Sequence, residues 1–257
     1  MTNTTIPSWK AILSLLLLVG TLYVNYLANA LPINGQDTGE ISGKFPNAFV
    51  PAGLTFAIWG IIYLLLVVFV IQLLNYSFSQ RQMPTAFGKM LPWFWLSCLM
   101  NGSWIFAFHY ENWALSLLLM LVLLWSLIKI QLVWNVDGET IPLLLRLPFS
   151  VYLGWISVAT LANVTLLLVA SELKPGLLPE HLWSVFLMTL ASGLGFFFVR
   201  IKGDIAFGLV IAWALYGIHL GQASTILVPA FAWYASLIMV LFALWETWRM
   251  VLSKSQR

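Results

Sequence analysis

The chain has 257 residues, of which 61% are hydrophobic and 8% charged, with a formal net charge of +3. A soluble domain carries roughly 25% charged residues, so this composition excludes a soluble globular protein and points to a helix bundle in a bilayer. The basic residues are scattered and form no patch, which argues against nucleic acid as a partner.

A spanning helix takes about 20 apolar residues. Eight stretches fit, and because they are continuously apolar they predict helices rather than the alternating strands of a barrel. The first, Trp9–Leu31, is longer than the apolar core of a signal peptide. It is read as a retained span despite the A-x-A-like Ala28-Asn29-Ala30. The connection Pro32–Pro51 follows. It carries Asp37 and Glu40, and Pro46 and Pro51 stiffen the return into the second span. A loop of about 20 residues in a compact bundle is usually a lid, a binding loop or a disordered segment.

The second span, Gly53–Leu74, carries Phe56, Trp59 and Tyr63. The third, Met90–Phe108, carries Asn101, Trp104 and Phe108, with Cys98 as a small core residue. A single cysteine excludes an intrachain disulfide. In the fourth, Trp113–Val133, Lys129 lies near the end and can snorkel. The fifth, Pro148–Val169, carries Tyr152, Trp155, Ala159 and Asn163. Ser171–Pro179, with two prolines and a glycine, is the natural boundary. It predicts a five-helix bundle over 1–170 and a three-helix extension over 171–257, built from Leu182–Val199, Ile205–Leu220 and Thr225–Leu252. The turn Arg200–Asp204 is tight.

With eight spans the loops alternate sides. Lys44 and Lys174 fall on one side and the other ten of the 12 Lys and Arg on the opposite side. The positive-inside rule then predicts both termini in the cytoplasm.

The three sets of polar and aromatic residues recur at i, i+3, i+7, and the fifth-span set continues to i+11, so each predicts one helical stripe. Such stripes can line a cavity with rings for stacking and amides for orientation. They can equally be packing, with asparagines as interhelical glue. No Asp or Glu lies mid-span, and His219 near the end of the seventh span is the sole candidate for a coupled proton or ion. His109, His181 and His219 are far apart and make no metal motif. No P-loop, dinucleotide glycine pattern or nucleophile elbow is present. No catalytic set is assigned, and no cofactor is required. Four glycosylation sequons fall at cytoplasmic or membrane depth and are discounted.

The stripes resemble the TspO/MBR family, the translocator or tryptophan-rich sensory proteins. Lys44-Phe45-Pro46 through Pro51-Ala52-Gly53, then Phe56, Trp59 and Tyr63, looks like that family's proline-rich approach to helix two. Asn101-Gly102-Ser103-Trp104, with Phe106 and Phe108, looks like its helix-three segment. Tyr152-x-x-Trp155-x-x-x-Ala159-x-x-x-Asn163 is similar to its fifth-helix run and is the most specific match. The resemblance covers about residues 1–170. Pro51-Ala52 replaces a Pro-Pro pair, Phe56 to Trp59 is one residue short, and no Trp-Ser-Pro follows Asn101. The family has five helices, and three follow here.

The resemblance implies a pocket beneath the first outside loop for a flat hydrophobic ligand, a porphyrin or other tetrapyrrole. Its implied contacts are Phe56, Trp59, Tyr63, Asn101, Trp104, Phe108, Tyr152, Trp155, Ala159 and Asn163. Lys44, Pro46 and Pro51 would lie in the lid. It further implies a sensory or binding role in a bacterial inner membrane, and a lateral face through which a homo-oligomer could form. Porphyrin breakdown is reported for some members, so an enzymatic role stays open. Two other readings stay open: an uncoupled permease for a lipophilic small molecule, and a scaffold with no ligand.

Overall fold

The computed structural model describes residues 3–31, 33–36, 38–45, 47–133, 142–172, 179–222 and 226–255. Asp37, Pro46 and most of the Ser171–Pro179 boundary lie outside the described residues. Apart from one two-residue strand pair, the architecture is helical: α1 Ser8–Ala30, α2 Thr38–Gly43, α3 Ile58–Phe78, α4 Thr85–His109, α5 Trp113–Val133, α6 Leu143–Ala170, α7 Glu180–Lys202, α8 Ile205–Gly221 and α9 Leu227–Ser255.

All but α2 correspond to the eight predicted spans. Among the described residues, six segments, those containing α1, α3, α5, α6, α7 and α9, are long and apolar enough to cross a bilayer. Helix α8 is apolar but has 17 residues. Helix α4 has the length, yet Lys89, Ser97, Asn101, Ser103 and three tryptophans dilute it. Only 28–50% of each spanning window is buried inside the protein. Leu16, Leu64, Leu144 and Leu241 are exposed. Such apolar outer faces need lipid as their solvent, and the protein is integral to a membrane.

Prolines set several starts. Pro7, Pro84 and Pro179 each precede a helix with φ between −52° and −58°, the value the ring imposes and a helix accepts at its first turn. This is why α4 begins at Thr85, before the predicted Met90. Before α3 the chain makes a 3-10 stretch over Gly53–Ala57, so Phe56 precedes the regular helix.

The chain divides into two compact units. The first comprises residues 1–41 and 59–153. Here α4 packs against α5 and α1. Phe69, Phe94 and Phe149 meet edge to face at 4.9–5.9 Å and are fully buried, the arrangement that the ring quadrupole favours. Asn3–Thr4 pairs antiparallel with Met83–Pro84, and the Ser77 hydroxyl donates to the Ile6 carbonyl at 2.9 Å.

The second unit comprises residues 42–58 and 154–257. Here α8 packs against α9 and α7. The α7–α8 corner needs only two residues. Gly203 takes φ +63°, the Asp204 N–H reaches back to the Phe198 carbonyl, and the Asp204 carboxylate caps Phe207 N–H at 3.1 Å. A Cβ on Gly208 would run into Val199, so glycine is what lets these helices close on each other. Near the corner, buried Glu246 accepts from Arg200 at 3.0 Å and Arg249 at 2.7 Å.

Candidate functional site

In the first unit, four helices bring a polar chain together. The Tyr63 hydroxyl on α3 donates to the Asn25 side-chain oxygen at 2.6 Å. The Asn25 amide on α1 donates to the Asn101 side-chain oxygen at 2.7 Å and to the Thr21 carbonyl at 2.9 Å. The Asn101 amide on α4 donates to the Tyr152 hydroxyl on α6 at 2.8 Å. Asn101 is fully buried and Tyr152 nearly so. Each amide is matched to groups of the right sense, which is how a bundle tolerates buried asparagine.

The rings form a continuous wall around this chain. Trp59 stacks on Tyr63 at 5.5 Å and on Trp104 at 6.3 Å, and meets Tyr152 edge-on at 6.0 Å. Trp104 lies 4.9 Å from Phe108, which meets Trp113 at 5.7 Å and His109 at 6.2 Å. Six sequence-predicted residues therefore meet here: Trp59, Tyr63, Asn101, Trp104, Phe108 and Tyr152. Sequence reasoning missed Asn25, which joins them. Its signal is the spacing Thr21, Asn25, Asn29 at i, i+4, i+8 within an otherwise apolar helix.

Two polar atoms of the wall stand apart. The Trp104 indole nitrogen and the His109 Nε2 are buried and have no hydrogen-bond partner among the described residues. Buried polar atoms in native interiors are nearly always paired.

In the second unit, Phe56 meets Trp155 edge-on at 5.8 Å. Ala159 is half-buried, and the Asn163 amide donates to the Ala159 carbonyl of its own helix at 3.5 Å. Of the predicted lid, Lys44 is exposed and Pro51 half-buried, whereas Pro46 lies outside the described residues. The stretch that follows is pinned. The Ala48 N–H donates to the Glu180 carboxylate at 2.7 Å, and the Ala52 N–H to the Gly217 carbonyl at 2.9 Å. The Trp213 indole donates to the Thr55 carbonyl at 3.0 Å. The Gln222 amide donates to the Asn47 and Val50 carbonyls at 3.0 and 2.9 Å. A Cβ on Gly217 would collide with Thr55, and one on Gly221 would sit 2.7 Å from the Ala52 nitrogen. Two glycines on α8 thus give this stretch its seat. Among the described residues no group of three or more His, Cys, Asp or Glu could hold a metal ion.

Fold and site together define a polytopic α-helical membrane protein in which α1, α3, α4 and the start of α6 are joined by buried amides and stacked rings. The profile of the TSPO-like protein family matches residues 11–245, and the chain belongs to that family. The match runs past residue 170 through α7 and α8 into α9, beyond the part on which the motifs lie. No curated protein and no solved structure matches the chain.

Proposed function

We propose that the chain is a TspO-type binding or sensory protein that holds a flat hydrophobic ligand such as a porphyrin. It would sit in a bacterial inner membrane with both termini in the cytoplasm. The observation that supports this best is the Trp104 indole: a buried N–H donor with no partner among the described residues, on a ring stacked against Trp59. Such a donor is costly to leave unmade, and an acceptor on a planar ligand would satisfy it. The surrounding rings offer the faces that a flat aromatic molecule needs. The bias of ten basic residues against two supports the orientation.

A second reading, a scaffold with no ligand, is favoured by the amide chain. Tyr63, Asn25, Asn101 and Tyr152 satisfy one another, as interhelical packing alone would require. Titrating purified protein with protoporphyrin and following tryptophan fluorescence separates the two, with a membrane protein of matched tryptophan content as control. Saturable quenching beyond the control supports the binding protein. Quenching equal to the control supports the scaffold.

A further inference from the structure

The end of α7 and the last turns of α9 bring two arginines to one carboxylate and one indole. The Glu246 side chain is 1% exposed. It accepts from Arg200 Nη1 at 3.0 Å, and from Arg249 Nε at 2.9 Å and Nη2 at 2.7 Å. The guanidiniums of Arg200 and Arg249 lie 5.9 and 6.0 Å from the centroid of the Trp245 ring. A buried carboxylate and an aromatic ring therefore hold both charged groups in place.

The cluster is not neutral. One carboxylate offsets one of two arginines and leaves a surplus of one positive charge. The other charges of the α7–α8 corner, exposed Lys202 and buried Asp204, cancel each other. The Arg200 and Arg249 side chains are 45% and 46% exposed. Arg200 Nε and Nη2 and Arg249 Nη1 donate to no group among the described residues. A single arginine at a helix end reaches for water by itself. Here two converge from two helices, keep donors to spare and are already ordered. The planar guanidinium fork matches the oxygens of a phosphate.

The exposed surface beside these arginines is apolar. Leu241, Leu244, Trp248 and Val251 recur every three or four residues along α9 and are exposed, as is Ile201 on α7. Such a face takes acyl chains, and tryptophans gather at headgroup depth. Free phosphate would meet the charge alone, whereas a phospholipid meets the charge and the apolar face together. A zwitterionic headgroup brings its own cation, which the surplus charge repels. We propose that Arg200 and Arg249 bind the phosphate of an anionic phospholipid, with Trp245 beside the headgroup and the acyl chains along α9. Glu246 touches no lipid and positions the two guanidiniums. The site is built from the second unit alone and does not depend on the ligand reading above.

The test uses the full chain in detergent. Phosphatidylglycerol and phosphatidylcholine of matched acyl chains compete as probes, and mass spectrometry of the intact complex counts the lipid retained. The wild type should retain phosphatidylglycerol about fivefold over phosphatidylcholine, the effect of one surplus basic charge at a lipid surface. Arg200→Gln removes the surplus yet leaves Glu246 paired with Arg249, and the preference should disappear. The triple variant Arg200→Gln, Glu246→Gln, Arg249→Gln removes the same net charge and leaves no buried charge unpaired, and it should lose the preference too. Arg81→Gln removes one charge at an exposed position outside the cluster and should keep it. Helicity and thermal midpoint in detergent report folding, and Arg200→Gln alone decides the matter should the triple variant misfold. Inorganic phosphate in excess should leave the retained lipid unchanged. Equal retention of both lipids by the wild type overturns the site, as does a preference that survives in either folded variant. Equal loss in Arg81→Gln also overturns it, since net charge would then be the cause. Displacement of phosphatidylglycerol by inorganic phosphate would make this a site for soluble anions and overturn the lipid assignment.

Discussion

The amide chain makes a quantitative prediction about what holds the first unit together. Asn101→Ala removes two bonds, one accepted from Asn25 and one donated to Tyr152, at a fully buried position. Asn25→Ala removes two bonds between helices, the one from Tyr63 and the one to Asn101, and also the bond to the Thr21 carbonyl of its own helix. Side-chain bonds between helices in membrane proteins average about 0.6 kcal/mol and reach about 1.7 kcal/mol by double-mutant cycle. Each single variant should therefore cost about 1–3 kcal/mol, because two bonds between helices go and partners are left unmatched. The shared Asn25–Asn101 bond, at 2.7 Å and with both residues buried, should give a coupling energy toward the upper part of that range. The assay is reversible unfolding in mixed micelles of increasing denaturing detergent, with wild type, both single variants and the double variant compared. A coupling energy indistinguishable from zero, with the singles additive, would refute the claim that this bond joins α1 to α4.

Gly217→Val should push Thr55 off α8 and destabilise the protein by about 1–3 kcal/mol through overpacking, read as a lower thermal midpoint with a changed Trp213 emission. Glu246→Ala should leave Arg200 and Arg249 without their shared carboxylate. Because both arginines are about half exposed, the loss should be about 1–3 kcal/mol, below that of breaking a fully buried pair, and again appear in the thermal midpoint. A reporter fused after Arg257 should be active only in its cytoplasm-reading form; periplasmic activity there would contradict the eight-span topology.

The helices were legible because hydropathy over about 20 residues is a local property; the starts that Pro7, Pro84 and Pro179 set were not part of that reading, and α4 begins five residues before the predicted Met90. The stripes were legible because 3.6-residue periodicity places Trp59 with Tyr63, and Asn101 with Trp104 and Phe108, before any fold is known. Phe56 departs from its stripe because Gly53–Ala57 forms a 3-10 stretch, and its ring goes to Trp155. The polar spacing Thr21, Asn25, Asn29 marks a face of α1, but what that face meets comes from Tyr63 and Asn101, 38 and 76 residues from Asn25. The seating of residues 47–55 was equally hidden. Its partners Glu180 and Gln222 are separated from it by 132 to 175 residues, and periodicity says nothing at that range. For the same reason, the last three helices looked like an addition in sequence, whereas α7 and α8 supply the groups that fix this stretch.

The central proposal is that the Trp104 indole, buried and without a partner among the described residues, meets a flat ligand. Trp104→Phe keeps a ring on Trp59 and deletes the N–H, whereas Trp125→Phe alters a tryptophan paired with Trp93 and Lys129 outside the wall. The measurement is the dissociation constant for protoporphyrin in purified wild type and both variants. A neutral hydrogen bond is worth about 0.5–1.5 kcal/mol, so Trp104→Phe should weaken binding about two- to twelvefold while Trp125→Phe leaves it within error. Equal affinity in all three proteins, or equal loss in both variants, would contradict the account.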